Sequence, residues 1–191
     1  MKCPEGGKWR SARRAVRVER PSTEHDLLTF TSSDDELTEY LRENALIDQE
    51  RRTATTHLLI TDEGGILGYF TLLNDAIRVE ALAEKDSLID HPYKSYPAVK
   101  IGRLSTRRGF ERQGFGKWML TLAVSYAFET NRYSGCRVIT VDSKRGTEGF
   151  YGDFGFEVAA GRHGTTTPMY LALGGFAENE GGEDLPRSQR C

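Results

Sequence analysis

The feature that most constrains this chain is the continuous run from "AVKIGRL" through "STRRGFERQGFG" to "KWMLTLAVSYAF", residues 98–128. An apolar strand-like stretch meets a glycine-rich turn and passes directly into an amphipathic helical pattern, with Phe115, Met119, Leu122, Ala123 and Tyr126 at helical spacing. A chain with this passage at its centre must lay a helix back on a sheet. A turn of this kind also presents unpaired amides at the positive end of a helix, which suits a phosphate or pyrophosphate. Gly114 and Gly116 let those amides approach a ligand without an intervening Cβ, and Arg107, Arg108, Arg112 and Lys117 can add positive charge. The alternative is that the glycines only close a tight turn.

Two familiar nucleotide motifs fail here on spacing. A P-loop needs Gly-Lys followed by Ser or Thr, and Trp118 follows Lys117. A dinucleotide fingerprint needs Gly-x-Gly-x-x-Gly, whereas Gly109, Gly114 and Gly116 stand as Gly-x-x-x-x-Gly-x-Gly.

The flanking sequence supplies the rest of a sheet. "AVRVER" reads as a first strand with Val16 and Val18 on one side. "SSDDELTEYLRENALIDQE" predicts a helix of about four turns from residue 34, capped by Ser33 with Glu36 three places on, and apolar on Leu37, Tyr40, Leu41 and Ala45. "THLLIT" and "ILGYFTLL" around "DEGG" form a hairpin, and "AIRVEAL" reads as a possible third strand of the meander. The polar stretch 83–97 is a candidate binding loop or interface. "GCRVITVD", "KRGTEGFYGDF" and "TTTPMYLAL" follow as strand, short helix and last strand. The order predicts an α/β fold, one domain at residues 14–173 with a mixed sheet, between a flexible basic start at 1–13 and a flexible tail at 174–191.

With 191 residues the chain has room for a single domain with a substantial core. Cys3, Cys136 and Cys191 match neither a disulfide framework nor a zinc knuckle, and the four histidines are scattered, so no metal site is expected. No apolar run suits a bilayer and the start lacks a signal peptide's apolar segment, so no membrane association is expected and the cytoplasm is the expected location. The net charge of −2 hides an asymmetry: "KWRSARRAVRVER" is strongly basic and "ENEGGED" acidic. Arg10, Arg13, Arg14, Arg17, Arg103, Arg107 and Arg108 could form a path for an RNA backbone, or be ordinary solvated surface.

Residues 111–116, "ERQGFG", resemble the turn of the Gcn5-related N-acetyltransferase (GNAT) superfamily, patterned Gln or Arg, x, x, Gly, x, Gly or Ala. Glu111 departs from that pattern at its first position. "GTEGFYGDFGFE", residues 146–157, is similar to the family's Phe-Tyr helix running into a last strand. "FTSSDDELTEYL", "ILGYFTL", "KIGRLST", "VITVDSK" and "MYLAL" resemble the tRNA-acetylating toxin branch, although Ser32 and Ser33 stand where Cys-Gly is usual.

The resemblance covers roughly residues 16–173. It implies a GNAT-like domain with a central mixed, mainly antiparallel sheet flanked by helices, and acetyl-CoA as cosubstrate without a metal. By the same resemblance, Leu104, Ser105 and Thr106 line the pantetheine arm, and the amides of Gln113, Gly114, Phe115 and Gly116 hold the pyrophosphate with Arg112 and Lys117 nearby. The resemblance also implies that Tyr151 protonates the departing thiolate. From their charge, Arg103, Arg107 and Arg108 are the candidate substrate contacts, Arg103 by its place on the strand ending at the active centre. The acceptor is a primary amine, with the α-amino group of aminoacyl-tRNA expected first and a small amine or protein terminus as the alternative. A catalytically silent binding module of the same fold is the third reading. An antitoxin partner and a homodimer belong to the toxin-like expectation.

Overall fold

The computed structural model describes residues 16–87, 92–161 and 164–174. The expected tails at 1–13 and 174–191 lie outside the described residues except for Gly174, so Arg10 and Arg13, and also Arg14 at the start of the expected domain, lie outside them. Seven strands form one sheet in the order β1-β2-β3-β4-β5-β7-β6. They are β1 (Val16–Glu19), β2 (Thr55–Thr61), β3 (Ile66–Arg78), β4 (Ser95–Thr106), β5 (Val138–Lys144), β6 (Glu157–Val158) and β7 (Thr166–Ala172). All neighbours run antiparallel except β4 and β5, which are parallel. That parallel pair needs a crossover, and the helix α2 (Phe115–Thr130) supplies it.

Strand alternation sorts the core onto two faces. Leu59, Phe70, Ile101 and Ile139 are buried beneath Met119, Leu120 and Ala123 of α2. Leu58, Ile60 and Tyr69 point the other way and pack on the first helical segment, α1 (residues 35–50), through Tyr40, Leu41 and Ala45. The α2 stripe is turned slightly from its expected setting: Leu120, Val124 and Ala127 are buried with Phe115, Met119 and Ala123, whereas Leu122 and Tyr126 are half-buried. Gly68 explains how closely α2 lies on β3, because a Cβ there would fall 2.7 Å from the Ser105 carbonyl oxygen and 2.8 Å from Met119 Cε.

α1 runs from Asp35–Glu39 through a π-helical turn at Tyr40–Asn44 into Ala45–Glu50. Its cap differs from expectation. Asp34, one residue later than the predicted Ser33, accepts from the Leu37 amide at 3.2 Å. Ser33 is released to a distant partner: its hydroxyl donates to Glu111 at 2.7 Å.

The meander also differs. "AIR" belongs to the end of β3, which is thirteen residues long, and Val79–Ala81 is a 3₁₀ turn, so no separate strand forms there. The described part of the polar 83–97 stretch is pinned to β7, with the Ala83 amide donating to the Tyr170 hydroxyl and that hydroxyl donating to Asp86. It does not line the large cleft described below.

Candidate active site

β4 is twelve residues long and pairs with β3 along its whole length, from Ser95 to Thr106. It pairs with β5 only from Ala98 to Ile101. Beyond that point β5 continues beside β7 through Lys144 while β4 continues beside β3, so the sheet splits.

The split begins at a bulge. Thr71 faces Arg103 and Leu72 faces Ile101, leaving Gly102 without an opposite residue. One extra residue changes which side each later side chain takes. Arg103 is thereby brought onto the α1 face, with its guanidinium 4.8 Å from the centre of the Tyr40 ring.

The Arg107 amide donates across to the Leu67 carbonyl on β3. Backbone groups alternate sides along a strand, so those of Ser105 turn to β3 and those of Leu104 and Thr106 turn into the gap. The gap therefore has an open strand edge, to which an extended polar chain can add as a further strand.

A cleft of about 1030 Å³ fills the split. Leu104, Ser105 and Thr106 form its floor, and the start of α2 closes one end. There Gly114 adopts φ 89°, the left-handed region, and caps the helix. Arg112 also has positive φ, 58°. Arg112, Gly114, Gly116 and Lys117 all border the cleft. Phe115 sends its ring into the core, so only its backbone is placed to serve a ligand. Gln113 is not a lining residue: its side-chain amide donates to the Gly109 carbonyl and braces the turn. Lys117 has a long contact of 4.0 Å with Asp153.

Tyr151 stands on the opposite wall, in the short helix α3 (Glu148–Gly152). Its ring packs edge-on against Phe150 and Phe156. Burial pushes its phenol up to about 12, so the hydroxyl stays protonated at any physiological pH.

Of the described arginines suggested as a path for RNA, one belongs to this cleft. Arg103 lines it, and its Nε is buried with no hydrogen-bond partner among the described residues. Arg107 donates to the carbonyls of Ile66 and Thr29, and Arg108 to that of Ser32, so both guanidinium groups hold the chain around Thr29–Ser32. Arg17 pairs with Glu19 on β1. The suggested arginine path is not assembled around the cleft among the described residues, because these side chains find backbone oxygens and carboxylates nearer to hand.

The structure adds residues that sequence patterning did not single out. Lys144, at the end of β5, reaches Asp34 at 2.6 Å and Glu36 at 2.7 Å, tying the cleft's two walls together. Partial burial works against its charge, but the two carboxylates more than offset it and its pKa lies above the ordinary lysine value. Lys100 and Asp142 form a second pair across β4 and β5 at 2.6 Å. Opposite charges more than forty residues apart carry no local signal, so only the folded sheet reveals either pair.

Glu111 has a similar explanation. Its carboxylate accepts from the Ser33 hydroxyl and, at 2.6 Å, from the Gly109 amide. These hydrogen bonds, that from Ser33 first, hold its pKa below the usual glutamate value. The carboxylate is thus engaged in bracing the turn against the start of α1.

A mixed sheet split beside a bulge, with an open strand edge leading to the amides of a helix start, is the frame of an acyl-coenzyme A acetyltransferase. The model of the acetyltransferase (GNAT) family matches residues 21–156, and the chain belongs to that family. A tRNA-acetylating toxin of Mycobacterium tuberculosis is 24% identical over 156 residues, covering 81% of this chain and 89% of the toxin. The fold is also that of AtaT complexed with acetyl-methionyl-tRNAfMet, at a TM-score of 0.78 and 21% identity over 86% of this chain and 98% of that one. A tyrosine-to-phenylalanine variant of KacT superposes at a TM-score of 0.77, with 17% identity over 86% of this chain and 99% of that one. AtaTR bound with acetyl-CoA gives 0.73, with 21% identity over 87% and 98%.

Proposed function

We propose that this protein transfers an acetyl group from acetyl-CoA to the α-amino group of an aminoacyl-tRNA. The observation that carries the transfer chemistry is the open edge at Leu104 and Thr106 running into the left-handed turn at Gly114, with Tyr151 on the facing wall of the same cleft. The RNA acceptor is supported by the similarity to tRNA-acetylating toxins.

Acetyl-CoA supplies an activated thioester and a pyrophosphate handle. Amides from Gln113 to Gly116 suit the pyrophosphate, and the open edge of β4 suits the amide-bearing pantetheine arm. The Leu104 amide is placed to stabilise negative charge on the thioester oxygen as the neutral amine adds to its carbonyl carbon. The C–N bond forms, the C–S bond breaks, and the nitrogen gives up a proton. Tyr151 donates its own proton to the departing thiolate, and the proton released by the nitrogen returns to the phenolate through solvent. An α-amino group has a pKa near 8, so a useful fraction is neutral at physiological pH without a strong base.

Arg103, held on the Tyr40 ring with an unsatisfied Nε, is the cleft cation best placed to meet the acceptor's carbonyl or phosphate oxygens. Charged tRNA as substrate implies a cytoplasmic protein. An antitoxin partner and pairing of two copies belong to the same reading, since AtaT has been solved with the C-terminus of the antitoxin AtaR.

The test is transfer of labelled acetyl from acetyl-CoA to a pool of charged tRNA, with deacylated tRNA as control. Label that depends on the esterified amino acid supports the reading. Absence of label, from protein that binds acetyl-CoA, would overturn it and direct the search to small amines and protein termini.

Glu111 offers an independent check of the pyrophosphate assignment. Glu111→Gln removes a like charge from the neighbourhood of the phosphates while keeping a polar side chain for Ser33 and Gly109. The expected result is a several-fold lower Kd for acetyl-CoA by calorimetry at low salt, an advantage that shrinks as salt is added. A higher Kd would show that the brace matters more than the charge.

A further inference from the structure

A second groove, of about 670 Å³, lies at the other end of α2. Along the helix that end is about 24 Å from Phe115, at 1.5 Å per residue over its length. The groove is bounded by Arg20 at the end of β1, Arg52 in the turn before β2, His57 on β2, and Tyr126, Glu129 and Tyr133 in and after α2. Leu73 lines both this groove and the large cleft, so the two adjoin across β3.

The composition of this groove is unusual for idle surface. Tyr133 is 88% exposed, an aromatic ring offered to solvent. His57 stacks on Phe70 with ring centres 4.9 Å apart and lies 4.8 Å from Tyr126. Burial first, and then the neighbouring Arg20, lower the His57 pKa to about 4, so its ring is neutral. Arg20 and Arg52 are exposed, and neither has an ion pair or a side-chain hydrogen bond among the described residues. Of the two carboxylates present, Glu19 is engaged by Arg17 and His25, whereas Glu129 has no partner among the described residues.

Two free guanidinium groups, exposed and half-buried aromatic rings and one free carboxylate correspond to the three parts of a nucleotide. Arginines take the phosphate, rings stack on the base, and a carboxylate accepts from an exocyclic amine, as borne by cytosine or adenine. We propose that this groove binds an unpaired nucleotide of RNA, Arg20 and Arg52 holding its phosphate and Tyr133 stacking on its base. The proposal rests on the aminoacyl-tRNA reading and deepens it: with the aminoacyl end in the cleft, the single-stranded nucleotides before it pass Leu73 into the groove. Glu129 makes the site selective for cytosine or adenine over uracil.

The experiment measures fluorescence anisotropy of a labelled, uncharged RNA hairpin with a single-stranded CCA 3′ end, between about 50 and 200 mM salt. The variants are Arg20→Gln combined with Arg52→Asn, asparagine being chosen because Arg52 has φ 58°, and separately Tyr133→Ala. The double variant is expected to bind on the order of tenfold more weakly at low salt, with a log–log salt slope shallower by about 1.4 for two lost phosphate contacts on a single strand. Tyr133→Ala is expected to lose roughly five- to a hundredfold in affinity with its slope unchanged. Parental affinity and slope in both variants would overturn the proposal. The outcomes separate cleanly from those for acetyl transfer. Groove-dependent RNA binding in a protein that transfers no acetyl to charged tRNA sinks the transferase reading alone, and transfer with groove-independent RNA binding sinks the groove alone.

Discussion

Tyr151→Phe is expected to lower kcat for acetyl transfer by roughly 10²- to 10⁴-fold, the range for loss of a positioned general acid, while the Kd for acetyl-CoA stays close to the parent's. The reason lies in what the substitution removes. The ring keeps its edge-on contacts with Phe150 and Phe156, so the wall of the cleft stays packed. Only the hydroxyl is lost, and in the parent burial pushes its pKa up to about 12, so this cleft-lining phenol is protonated. Such a phenol is a reluctant acid towards a thiolate, whose ordinary pKa is near 8.5. The transfer becomes favourable because the nitrogen that has just added is positively charged and gives up a proton in the same conversion. Pre-steady-state kinetics with calorimetry in parallel would separate the two quantities. Equal losses in kcat and in acetyl-CoA affinity would argue that Tyr151 shapes the cofactor site and is no proton donor.

Gly114→Val should have the reverse signature. Gly114 sits at φ 89° and caps α2, a conformation that costs an ordinary L-residue about 1–2 kcal/mol and a β-branched one more. The new side chain also stands among the amides that face the cleft. Acetyl-CoA affinity is expected to fall on the order of tenfold or more, with Tm lowered by roughly 2–8 °C for a chain of this length. Differential scanning fluorimetry with and without acetyl-CoA reads both effects at once. A ligand-induced Tm shift as large as the parent's would remove the turn from the pyrophosphate site.

Together the two substitutions divide the cleft by role. In the proposed mechanism Tyr151 acts on the leaving group at one wall, and Gly114 shapes the grip on the cofactor at one end. The ties Ser33–Glu111 and Asp34/Glu36–Lys144 hold the start of α1 to both. This explains why the helix start, which carries no catalytic group itself, borders the cleft.

Much of this frame was written locally in the sequence. Alternation in "THLLIT" and "ILGYFTLL", helical spacing from Phe115 to Tyr126, and glycine at the strand-to-helix turn each act over a few residues, where backbone sterics and burial of one face decide the outcome. These short-range signals foretold the hairpin, the glycine turn and the helix that follows it, and the family's Phe-Tyr pattern marked Tyr151. What the tertiary structure alone decided is where pairing stops and which charges meet. The split at Ile101 depends on β5 and β7 finding each other, and the bulge at Gly102 depends on the register of β3. Arg107 and Arg108 stood beside Lys117 as charged residues near a glycine turn, yet their guanidinium groups are turned onto backbone carbonyls while Lys117 borders the cleft, and Glu111 borders it too with its carboxylate held by Ser33 and the Gly109 amide. Lys144 meets Asp34 across 110 positions of sequence. A charged side chain chooses its partner by proximity after the chain has closed, and proximity across a sheet is set by strand order and register, which no local pattern encodes.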